Sequence, residues 1–175
     1  MFKILSQCFI MIGYLIFFVS RFSKNKKSIL IKDNLSRSCF IIGYAFLRSI
    51  NGIEHTVYGI IRNVVGQSLN EKKKKYKIIG FITMLILLCV MYGVSFNNTS
   101  TLLLILSGII NLTAIMFYQA QGIRLGTVLA SICNVIAFVI IESYISVIGE
   151  VLCGIMGVIS YIKEKLKTDE YINQE

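Results

Sequence analysis

Residues 71–98 read EKKKKYKIIGFITMLILLCVMYGVSFNN. A block of lysines at 72–75 is followed by nineteen residues, Ile78–Phe96, that carry no charge, and then by the polar pair Asn97-Asn98. A helix rises about 1.5 Å per residue, so this run spans about 28 Å, close to the roughly 30 Å hydrocarbon core of a bilayer. Lysines at one end and uncharged amides at the other also orient it, because basic flanks stay on the cytoplasmic side.

The same alternation recurs on both sides of this stretch. Apolar runs cover Ile4–Ser20, Ser38–Gly52, Thr56–Leu69, Thr101–Gln119, Ile123–Ile141 and Tyr144–Ile162. No small-x-small cleavage site follows the first run, so it reads as a retained span rather than a cleaved leader. Backbone groups in lipid must be bonded within the segment or within a closed barrel. The runs are continuous rather than alternating, and the 175 residues include no proline, so helices are expected. The fold class is therefore an all-α integral membrane protein with seven transmembrane helices, N-out and C-in.

Composition agrees. Hydrophobic residues make up 55% of the chain, mean hydropathy is +0.73, and charged residues are 15% against about 25% in a soluble domain. The net charge of +9 does not point to nucleic acid, because the basic residues lie in blocks between apolar runs rather than along one readable stripe. With the N-terminus outside, segments 21–37, 71–77, 120–125 and the tail after 162 are inside. They hold fifteen of the eighteen basic residues, leaving only Lys3, Arg48 and Arg62 elsewhere. The second and third runs are the shortest and most polar. They read as spans shielded by neighbours, with a re-entrant pair as the alternative.

Residues 38–75 and 129–167 share one order of apolar run, polar turn, apolar run and lysine cluster. At an offset of 91, Gly66 meets Gly157, while Lys72 and Lys74 meet Lys163 and Lys165. This suggests a parallel 3+1+3 repeat: residues 1–70 as a first three-helix unit, 71–100 as a linker helix, 101–165 as a second unit and 166–175 as a cytoplasmic tail.

Polar residues at membrane depth are functional candidates by default. Arg62, Asn63 and Gln67 lie in the third span, with Asn63 and Gln67 four apart on one face. Asn111, Asn134 and Glu150 fall in the fifth, sixth and seventh. Arg62 and Glu150 are expected at similar depth in the outer half of the membrane, and to pair across the interior. These six residues are the expected substrate-binding set, around a polar cavity for a small polar or anionic solute. The alternative is an interhelical clamp of amides and one ion pair. His55, beside Glu54, reads as a solvated residue of an outer turn. Gly149, Cys153 and Gly157 read as a helix-packing seam. The five cysteines form no C-x-x-C and read as small apolar residues. Asp33 and Asp169 are placed in soluble segments. No catalytic dyad, phosphate loop, metal site or cofactor is expected, so the chain is not read as an enzyme.

The stretch SKNKKSILIKDNLSRSCFIIGYAFLRSINGIEHTVYGIIRNVVGQSLNEKKKK, residues 23–75, resembles the bacterial YgjV-type inner membrane protein family. RLGTVLASICNVIAFVIIESYISVIGEVLCGIMGVISYIK, residues 124–163, resembles that family's closing segment. The family is similar in architecture to the SWEET and PQ-loop group, built as 3+1+3 helices that move small solutes. The resemblance implies a multi-pass protein of the bacterial inner membrane, a three-helix repeat and a transport role. The chain lacks the Pro-Gln pair of that group and has no tryptophan. The expected partners are the lipid bilayer and a small polar solute, with no nucleic acid and a homo-oligomer left open. The alternative function is a non-transporting membrane scaffold or subunit that binds lipid or a membrane partner.

Overall fold

A computed structural model describes residues 2–48, 50–94, 99–140 and 144–172. Seven helices run in order: α1 Phe2–Arg21, α2 Lys26–Leu47, α3 Ile50–Ser68, α4 Lys74–Val94, α5 Thr99–Phe117, α6 Ala120–Ile140 and α7 Tyr144–Ile172. No strand occurs among the described residues. The expected turns at Asn97-Asn98 and Glu142-Ser143 lie outside them. Five helices, α1, α4, α5, α6 and α7, are apolar enough to be recognised as spans by hydropathy alone. The other two, α2 and α3, have 22 and 19 residues, so each is about 30 Å long, the thickness of a hydrocarbon core.

Three boundaries differ from the sequence reading, each for a local reason. The basic stretch 21–37, expected as a loop, contains a turn of only 22–25, and Lys26–Arg37 is the first half of α2. Along this half, Ile29, Leu30, Asp33 and Ser36 are buried while Ile31 and Leu35 are exposed to lipid. Asp33, expected in a soluble segment, is therefore inside the bundle. The turn between the second and third spans comes at Arg48, not at Glu54-His55. Arg48 adopts the left-handed conformation (φ 55°, ψ 31°), and its N–H closes the helix on the carbonyls of Ala45 and Tyr44. Finally, α7 does not stop at Ile162. The following KEKLKTDEYI has neither glycine nor proline, and the helix continues through it to Ile172.

The helices pack mainly with their neighbours in sequence, and α1 closes against α7. Helix α3 touches both α4 and α5, and α2 meets α6 across the middle. Helix α1 lies on α2 through the Phe9–Phe46 and Tyr14–Phe40 ring contacts, 6.1 and 4.9 Å between centroids. A close backbone approach at Gly43 lets the Ser6 hydroxyl donate to its carbonyl at 2.9 Å. Helix α4 is peripheral. It inserts Met84 and Leu88 into a cluster with Tyr58, Leu112 and Met116, and exposes most of the rest of its apolar surface. A second cluster, Ile29, Leu30, Ile115 and Ile123, joins α2, α5 and α6.

The polar faces of α2 and α3 point into this bundle. On α3, Thr56, Arg62, Asn63 and Gly66 are buried while Val57, Ile61 and Val64 face outward. Both helices are amphipathic in the sense opposite to a soluble helix, because lipid takes the apolar side.

Candidate functional site

The polar residues of α2 and α3 converge on Asp33. Its Oδ1 accepts from Arg21 Nη2 of α1 at 3.0 Å. Its Oδ2 accepts from Asn63 Nδ2 of α3 at 2.7 Å and from Arg37 Nε, one turn along α2, at 3.4 Å. Asn63 Nδ2 also donates to Asn34 Oδ1 at 2.9 Å, and Asn63 Oδ1 accepts from Arg62 Nη2 at 3.3 Å. The Arg21 guanidinium lies 3.9 Å from the centre of the Phe17 ring. Gly59 makes room for the Arg37 guanidinium; any Cβ there would run into it. Charges in lipid are retained when they are paired and hydrogen-bonded, and Asp33 is both.

Next to this network is a cavity of about 90 Å³, reached by side chains of α1, α2, α3, α5, α6 and α7. Arg21, Arg37, Arg62 and Asp33 form one part of its wall. Glu150 and Asn134 form another, with Asn134 Nδ2 donating to Glu150 Oε2 at 3.1 Å. Asn111, Ser131, Tyr14, Tyr44 and His55 also border it. A volume of this size takes several waters or one small polar molecule.

The six residues expected to bind substrate divide as follows. Arg62, Asn111, Asn134 and Glu150 line the cavity. Asn63 lies behind the wall and holds Asp33 in place. Gln67 is elsewhere: one turn nearer the end of α3, it borders a separate groove of about 390 Å³ with Lys26, Lys27 and Lys72. The expected Arg62–Glu150 pair is not formed among the described residues; Asp33 takes Arg21 and Arg37, and Glu150 takes Asn134. The two residues also sit at different positions along their own helices. Arg62 is twelve residues from the start of α3 at Ile50, about 18 Å, whereas Glu150 is six residues from the start of α7 at Tyr144, about 9 Å. His55 is also corrected. It lies within α3, borders the cavity and is hydrogen-bonded to the Tyr92 hydroxyl of α4.

Sequence reasoning missed Asp33, Arg37, Arg21 and the two tyrosines. The available signal was helical spacing: Leu30, Asp33, Arg37, Phe40 and Tyr44 follow one another at three or four residues, a single helix face.

At the inner end, the end of the basic turns, the two halves of the bundle are tied together. Arg124 of α6 is 1% exposed and donates to the carbonyls of Arg21 and Ser23 at 3.0 and 2.9 Å. Lys26 Nζ donates to the Tyr118 carbonyl at 3.2 Å, and Glu164 of α7 lies 3.7 Å from Arg124. On α7 the expected seam is present, with Gly149 against Tyr14 of α1, Gly157 against Val128 of α6, and Cys153 buried between them.

A bundle of seven such helices with an interior polar cluster is a membrane protein on physical grounds alone. The family model Imp-YgjV, described as bacterial inner membrane protein, matches residues 4–168. The chain belongs to this family. No curated protein and no solved structure matches it. Membership in Imp-YgjV places the chain in the bacterial inner membrane. The match reaches into all seven helices, and the Asp33 network and the cavity both lie within the matched residues.

Proposed function

We infer that this chain is a small-solute carrier of the inner membrane, with the six-helix cavity as its binding site. The observation that carries this reading is the cavity itself: a polar space at membrane depth, bordered by charged side chains of both halves of the chain. Burying that many charged groups is costly, and the cost is a reason to look for use at the site. The packing order supports a 3+1+3 plan. Helices α1–α2–α3 and α5–α6–α7 each pack in series, α2 and α6 meet between them, and α4 stands outside. The inner end is closed by the Arg124 and Lys26 bonds to turn carbonyls, so passage to the cytoplasm requires those bonds to part.

Uptake by vesicles containing the purified protein, screened across sugars, amino acids and vitamins, tests the reading. Flux of at least one solute above that of empty vesicles is expected. No flux for any class would contradict it and leave the scaffold reading in its place.

A further inference from the structure

Two charged groups on the cavity wall have no partner of opposite sign among the described residues. Arg62 is 4% exposed, and its one hydrogen bond is to the neutral amide of Asn63, with Nε left unbonded. Around it, the arginine side of the cavity sets three guanidiniums, Arg21, Arg37 and Arg62, against the one carboxylate of Asp33. On the other side, Glu150 is held by the neutral amide of Asn134, whose own Oδ1 is buried without a donor. An uncompensated buried charge is strongly unfavourable; here the buried Arg62 and the partly buried Glu150, of opposite sign, border one cavity without forming an ion pair with each other.

We propose that the cavity binds a small zwitterion of the α-amino-acid type, its carboxylate on Arg62 and its ammonium group on Glu150. The proposal rests on the carrier reading for its biological sense, but the binding site stands on its own geometry. A lone anion would satisfy Arg62 and leave Glu150 unpaired; a lone amine would do the reverse. One molecule bearing both charges neutralises both walls and gives the free Asn134 oxygen an N–H donor. The volume of about 90 Å³ restricts the ligand to a small side chain.

The test is thermal unfolding of the purified full chain in detergent with added L-alanine, glycine, propionate or propylamine at equal concentration. L-alanine and glycine are expected to raise the midpoint, and propionate and propylamine to leave it unchanged. Arg62→Gln and Glu150→Gln should each abolish the rise. The proposal is overturned if neither amino acid raises the midpoint, if propionate alone matches L-alanine, or if both variants keep the rise. The ligand series on the unaltered protein decides the matter even if a variant fails to fold. Vesicle flux separates the two readings: L-alanine binding without flux supports this site and removes the carrier, whereas flux of another solute without amino-acid binding does the opposite.

Discussion

The Asp33 carboxylate accepts hydrogen bonds from Arg21, Arg37 and Asn63, and so ties together α1, α2 and α3. Removing its charge would leave the buried Arg21 guanidinium and the partly buried Arg37 guanidinium without their shared carboxylate. Asp33→Asn, nearly the same shape, is expected to cost about 3–5 kcal/mol, read as a lowered unfolding midpoint in detergent. Adding Arg21→Met to Asp33→Asn should recover part of that loss, because one orphaned charge goes with it. Purely additive losses would show that the pair does not act as a unit. The importance of Asp33 was hidden in the sequence by its surroundings. Six of the seventeen residues at 21–37 are basic, and a charge-rich stretch reads as a loop by composition although its three- and four-residue spacing is helical. Arg62 was legible for the opposite reason, since it interrupts an apolar run. Its relation to Glu150 was not, because depth depends on where each helix starts. The turn at Arg48 begins α3 six residues earlier than Thr56 suggested.

At the scale of elements, α2 and α3 are the two helices whose hydropathy does not announce a span, yet both are long enough to match the thickness of the hydrocarbon core. Their lipid-facing residues are apolar, and only the inward stripe is charged. Leu35, about nine residues into α2, is 56% exposed on that outer face. Leu35→Lys is therefore expected to cost about 2.5–3.5 kcal/mol in membrane insertion, seen as a reduced yield of inserted protein. If α2 instead lay in water, the substitution would have no effect. The inner closure belongs to this scale as well. Arg124→Ala removes both bonds to the α1–α2 turn, and a cysteine placed at Ser23 should then react faster with a water-soluble maleimide than in the Arg124 background. Equal rates would mean that the tie does not hold the end shut. The five apolar spans were plain in the sequence, because an unbroken run of that length has few alternatives.

The whole molecule is a membrane bundle that keeps its polar surface inside. Positive charge gathers at one end, which sets the orientation, but Arg37 leaves that tally because it lies halfway along α2 and points to the cavity. Six helices surround the cavity, and the seventh, α4, covers α3 and α5 from outside through Met84 and Leu88. That ring depends on α3 presenting one polar face inward along its whole length. The measurement that tests it most directly is a cysteine scan of α3 in a chain whose five cysteines are replaced by alanine. Each position from 55 to 66 is reacted with a water-soluble maleimide and with a lipid-soluble one. The account predicts that 55, 56 and 62, which border the cavity, react with the water-soluble reagent, and that 57, 61 and 64 react only with the lipid-soluble one. Reaction of every position with the water-soluble reagent, or a pattern without helical period, would contradict it.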